Sequence, residues 1–175
     1  MAVVEVIKMG NPALRRMSRH VFLPELKKKK FQKLINNLID TMHAENGAGI
    51  AAPQIAVRKR VFVMEMGDNP RYPTKESFPL LIAVNPEIEP VGKKKVKSWE
   101  GCLSIPGLRG RLKRYKRIRL KALDRHGNPY EKMLSGFAAV VAQHELDHLD
   151  GKLFIDRMKS MKRLTFQKEY EDFWL

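Results

Sequence analysis

The run His144-Glu145-Leu146-Asp147-His148 reads H-E-x-x-H. Inside a helix, residues four apart share a face, so both imidazoles can reach one metal ion. Glu145 then projects beside the open coordination position and can take a proton from water there. The bland alternative is a set of ordinary polar residues on a solvated helix. A chance match in a chain of this length is on the order of one in a hundred. A catalytic metal usually takes three protein ligands and leaves a fourth position for water. Cys102, or a downstream carboxylate such as Glu169 or Glu171, could supply the third. A thiolate is the softer donor, and Cys102 lies in SWEGCLSIPG, a Gly- and Pro-framed segment able to expose a backbone N–H beside the sulfur. A lone Cys is nevertheless most often a small buried hydrophobe, and spacing alone leaves Glu169 open.

A third segment, GAGIAAPQ at 47–54, superficially offers G-x-G-x-x-A. The dinucleotide fingerprint needs a strand before it and a helix opening from it. Here a helix precedes, and Pro53 would interrupt a helix that followed, so the nucleotide reading is rejected. Two glycines instead suggest a backbone passing close to something, with the Gln54 amide as a neutral donor at hand. On its own the segment would be an ordinary helix-to-loop turn.

The elements that must position these residues follow from periodicity. Phe31, Leu34, Ile35, Leu38, Ile39 and Met42 form an amphipathic stripe, with Pro24 suited to a helix start and Gly47 past its end, which predicts a helix over roughly 24–45. Residues 60–66, 80–84 and 117–123 are short, branched or alternating runs that read as strands. In the last of these, Ile118, Leu120 and Ala122 alternate with Arg117, Arg119 and Lys121, predicting one buried face and one solvated basic face. DRHGNP at 124–129 is a turn, read as a hairpin into residues 130–134. From about Ser135 the helical pattern returns, with Phe137, Val140, Val141, His144 and His148 on one side and Asp150-Gly151 as a stop. Residues 160–173 are charged and read as a short final helix. Helix, irregular strands, then helix predicts an α+β fold, with short antiparallel strands around a central H-E-x-x-H helix.

The chain has 175 residues, the size of one globular domain over 1–175, and 43% are hydrophobic. That composition excludes a wholly disordered or fibrous chain. Lys plus Arg number 34 against 19 Asp plus Glu, a balance of +15 that should attract polyanions. No apolar run approaches the ~20 residues of a membrane span, and the first residues do not read as a secretory signal. A single cysteine permits no intrachain disulfide, which fits a reducing cytoplasm.

GAGIAAPQ, EGCLSIP at 100–106 and QHELDHLDG at 143–151, in that order and with similar separations, resemble the three signature motifs of bacterial peptide deformylase. The resemblance extends over nearly the whole chain. It implies an α+β fold, a metal held by Cys102, His144 and His148, and Glu145 as catalytic acid and base. It thereby favours Cys102 over Glu169. It also implies oxyanion donation by Gln54 and the backbone N–H of Leu103, and a substrate cleft lined by Gly49, Arg109, Val140 and Val141. Fe(II) is the implied physiological metal, with Zn, Ni or Co able to occupy the site. The implied substrate is the formylmethionine of nascent polypeptides, met in the cytoplasm at the ribosome. The segment at 67–79 is longer than in the most familiar bacterial members, and the tail ends soon after its helix.

Two other readings compete. A Glu-ligated metalloprotease would use His144, His148 and Glu169. A nucleic-acid-binding protein with a structural metal would draw on the basic run 109–121 and on Lys27–Lys30 and residues 93–97, whose simplest reading is a solvated face. A structural site normally closes all four positions with protein ligands, and the chain offers no obvious fourth.

Overall fold

A computed structural model describes residues 2–72 and 74–175; Met1, and Pro73 of the 67–79 segment, lie outside it. The architecture is α+β. Two helices, α1 (Leu23–Leu26) and α2 (Lys29–Ala44), precede strands β1 (Gly49–Ala51), β2 (Val61–Met66), β3 (Phe78–Pro90), β4 (Lys95–Cys102), β5 (Ile105–Tyr115), β6 (Arg117–Leu123) and β7 (Pro129–Ser135). Helix α3 (Gly136–Leu149), strand β8 (Leu164–Phe166) and helix α4 (Gln167–Phe173) complete the chain. One sheet runs β1-β2-β3-β6-β7 and the other β4-β5-β8, with every paired neighbour antiparallel.

Helix α3 carries the H-E-x-x-H run and packs against strands of both sheets. Ala139, Val141, Ala142 and Leu149 join a core cluster with Phe62 and Met64 of β2, Leu81 and Ala83 of β3, and Ile118 and Leu120 of β6. A helix buried nearly all round is held by its surroundings on every side, which fixes the directions of its polar side chains. The stripe of α2 (Phe31, Ile35, Leu38, Met42) fills a second cluster with Ile50, Val61 and Val63. Among the described residues, no helix is long and apolar enough to cross a membrane.

The predicted helix over 24–45 is broken: Lys28 is extended (φ −73°, ψ 140°) and α2 starts afresh after it. Four adjacent lysines have no apolar side chain to bury, so nothing in the core requires continuity there. The strand predicted at 80–84 runs on to Pro90, with a register shift between Val84 and Glu87. The final segment is a 3-10 turn at Met161–Arg163 and α-helical only from Gln167, because Leu164–Phe166 pair with β5 as β8. The hairpin between β6 and β7 forms around Asp124, whose carboxylate accepts from the N–H groups of His126 and Asn128 at 2.7 and 2.9 Å. The alternation in β6 holds, with Ile118, Leu120 and Ala122 buried. Its outer face is not simply basic, since Arg119 pairs with Glu131 at 2.9 Å and Lys121 with Glu89 at 2.8 Å.

Candidate metal centre and its cleft

Sequence reading found no strand between residues 95 and 115, yet these form the β4–β5 hairpin. The pattern is obscured because an inward position of β5 is Arg114, only 5% exposed. At the tip of the hairpin, Cys102 pairs with Ile105 across a turn at Leu103-Ser104, so the sulfur and the N–H of the next residue are presented together. This turn faces α3. The donor atoms of Cys102, His144 and His148 all lie within 4.8 Å of one another and all three residues are buried. His148 Nε2 is 3.2 Å from Cys102 Sγ. Glu169, the rival ligand, is exposed on α4 and outside this cluster.

The cluster is held by charges behind it. His144 Nδ1 lies 2.9 Å from Glu100 Oε2, which leaves its other nitrogen for the cluster. Arg114 donates to both oxygens of Glu100, at 2.8 and 2.9 Å, and to Asp147 at 2.6 Å; Asp147 also receives Arg157. A carboxylate behind a ligating imidazole fixes its tautomer and raises its basicity. Burial works against ionising Glu100, but the Arg114 guanidinium and His144 outweigh it and hold the carboxyl at about 2. Burial also opposes charge on His144, and the flanking Cys102 and Glu100 overcome it, raising its pKa. His148 is driven the other way by burial and by His144, which favours the neutral imidazole, the form that ligates. Two imidazoles and a thiol, buried and convergent, suit a soft to borderline divalent ion.

Glu145 is 3% exposed, and its Oε2 has no hydrogen-bond partner among the described residues. Burial pushes its carboxyl up to about 7, with His144 pulling down and Glu100 pushing up. Gln54 is buried in a 3-10 turn; the Ala51 N–H donates to its Oε1 at 2.8 Å, which turns its NH2 towards Ser104 Oγ (3.3 Å) and Cys102 Sγ (3.7 Å). Gly49 has the close approach expected of it, since a Cβ there would stand 2.6 Å from Glu145 Oε1 and 2.9 Å from Val141.

Gly49, Gln54, Cys102, Leu103, Val140, Val141, His144 and Glu145 line one cleft. Arg109 does not line it. It is buried behind the wall against the bare backbone of Gly101, its Nε donates to Gln167 Oε1 at 2.6 Å, and Tyr72 and Tyr170 cover its guanidinium. Sequence reading missed Arg71, Tyr72, Trp99 and Phe137 as cleft residues and Arg114 and Asp147 as supports. Asp147 was visible inside the H-E-x-x-H run, and Phe137 on its helical face. Nothing local marks Tyr72.

The family model for polypeptide deformylase matches residues 3–164. The chain belongs to the peptide deformylase family. It is 42% identical over 172 residues to the peptide deformylase of Leptospira biflexa, covering 98% of this chain and 96% of that one. With peptide deformylase 1 of Prochlorococcus marinus it shares 46% over 172 residues, covering 98% and 88%. Among solved structures, the class I type b peptide deformylase of Acinetobacter baumannii with Met-Ala-Ser bound superposes with a TM-score of 0.86 at 37% identity, covering 90% of this chain and 99% of that one. The Thermotoga maritima peptide deformylase gives 0.80 at 34%, covering 91% and 100%. The Cys/His/His cluster of this deformylase thus lies between a helix and a hairpin tip within a shared fold.

Proposed function

We propose that residues 1–175 form one catalytic domain that removes the formyl group from the N-terminal formylmethionine of nascent polypeptides, releasing formate. The observation that carries this reading is the buried Cys102/His144/His148 cluster with Glu145 beside it in one cleft. The Met-Ala-Ser bound to the Acinetobacter baumannii relative supports a methionyl peptide as the ligand class.

Cys102, His144 and His148 would hold one divalent metal, Fe(II) in the cell, with Zn, Ni or Co able to occupy the same donors. When bound, that metal would supply Lewis acidity, making water easier to deprotonate and a carbonyl more electrophilic. Glu145, buried in the cleft with Oε2 unpartnered among the described residues, accepts the proton of the attacking water and returns it to the departing amine nitrogen. Negative charge grows on the formyl oxygen as the carbonyl becomes tetrahedral. The Gln54 NH2, aimed by the Ala51 N–H, and the Leu103 N–H at the hairpin tip stabilise it. Losing one such donor lowers the rate by about 10² to 10³. Gly49, Val140 and Val141 shape the substrate cleft, and Arg109 supports its wall from behind.

The enzyme works in the cytoplasm and meets its substrate at the ribosome. Its surplus charge provides a salt-dependent attraction to ribosomal RNA. Anaerobic purification with metal analysis, followed by a formyl-Met-peptide assay releasing formate, tests the reading. Activity tracking iron occupancy and decaying in air, with a zinc form that survives, is expected. Metal-loaded protein inactive on formyl-Met peptides would overturn it.

A further inference from the structure

A second cleft, of about 760 Å³, opens on the opposite side of α3 and shares no lining residue with the first. It exists because β8 pairs only with Leu108–Gly110, so the outer edge of β5 runs on without a strand beside it. At Tyr115 that edge is closed by Gln143, which accepts from the Tyr115 N–H at 3.0 Å and donates to its carbonyl at 2.9 Å. Between these two points the cleft is rimmed by Lys95, Lys97, Arg111, Lys113, Lys159 and Arg163.

None of these six forms an ion pair among the described residues. The carboxylate in the lining, Asp147, is already taken by Arg114 and Arg157. This contrasts with β6, where Glu89 and Glu131 answer Arg119 and Lys121. Lys97 and Lys113 stand directly opposite across the β4–β5 ladder, a like-charge pairing that destabilises a hairpin unless an anion comes between or beside the two charges.

We propose that this cleft binds the sugar–phosphate backbone of RNA. Residues two apart on a strand are spaced by about 6.6 Å, and the cations spread along two strands and the 159–163 segment, too far apart for one phosphate to satisfy. A chain carrying a phosphate at every step answers them in series. Arg111 and Arg163 supply planar forks suited to phosphate. Tyr115, with Lys95 4.4 Å above its ring, adds an aromatic within the basic patch, a combination that single-stranded nucleic acid uses and an acidic peptide does not need. The inference narrows the ribosome contact proposed above to one cleft and rests on it for the source of the RNA.

The test uses the full metal-loaded protein and a labelled oligouridylate of ~20 nucleotides, followed by fluorescence anisotropy. With about four phosphates engaged, affinity should fall ~50-fold between about 50 and about 200 mM salt. Lys97→Glu combined with Lys159→Glu should weaken binding at least ~10-fold, whereas Lys27→Glu with Lys28→Glu, an equal change in net charge, should alter it less than ~2-fold. Lys97→Glu places an acid opposite Lys113, so the hairpin keeps its pairing, and formyl-Met-peptide turnover checks that both variants fold. Absence of binding at low salt, or equal loss in both variants, would overturn the proposal. So would polyglutamate of equal length binding as tightly, which would make the partner an acidic protein. RNA binding without deformylation would sink the hydrolytic reading and leave this one intact.

Discussion

Replacing Glu145 with Gln separates proton transfer from metal holding and from packing, because the amide keeps the shape and loses the titration. The carboxyl is buried and its pKa is raised from the ordinary 4.5 to about 7. The sign follows from the direction: an acid whose folded pKa lies above its unfolded value binds its proton more tightly in the folded state. Its stabilising share is therefore complete below about 4.5 and is lost as pH rises through 7. Ionised Glu145 then disfavours the fold by on the order of 3 kcal/mol. Metal-free Glu145→Gln should accordingly be more stable than the wild type by about that amount above pH ~7, with the gap closing as pH approaches 4.5. Urea unfolding of the metal-free proteins across that pH range measures it. Turnover of a formyl-Met peptide should fall by about 10² to 10⁴ while metal content stays near normal. Retained turnover would remove Glu145 from the reaction, and a stability gap that does not change with pH would refute the burial account.

Cys102→Ser should weaken metal binding and abolish activity, while Glu169→Ala, on an exposed face of α4, should leave both within experimental error; metal titration of the two variants decides between them. Glu100 has its pKa lowered to about 2, so its stabilising share, on the order of a few kcal/mol, is present above pH 4.5 and lost as pH falls towards 2. Acid unfolding of Glu100→Gln should be correspondingly shallower over that interval, and its metal affinity about 10- to 100-fold weaker. Gly49→Ala drives a methyl to 2.6 Å from Glu145 Oε1, so either the carboxylate or β1 must move; a loss of about 1 to 3 kcal/mol in stability and a fall in kcat are expected from thermal melts and steady-state kinetics.

The chemistry-bearing residues were legible because their signals are local. Two imidazoles four residues apart on one helix need only the helical period to face the same way. The same holds for β6 and for the 124–129 turn, where alternation and an Asp side chain suffice. The choice of Cys102 over Glu169 was open to spacing alone, and the family resemblance favoured the thiol. Only the fold brings the tip of the β4–β5 hairpin against α3 and leaves Glu169 outside. Tyr72 is in the same position: it reaches the cleft and Arg109 through packing between segments far apart in the chain.

The buried charges mark the limit most clearly. A basic run from Arg109 to Lys121 reads as a solvated face, since isolated cations stay in water. The tertiary structure sorts that run residue by residue, with Arg109 buried against Gln167, Tyr72 and Tyr170. Arg114 goes inward because Glu100 and Asp147 meet it there, Arg119 and Lys121 are answered by acids on β3 and β7, and Arg111 and Lys113 remain facing an open cleft. Composition by itself determined the sum of the charge and periodicity the face on which most apolar residues would lie. Which cation is desolvated, paired or free depends on carboxylates distant in sequence, because Coulombic compensation acts over a few ångströms in space and leaves no trace in local spacing.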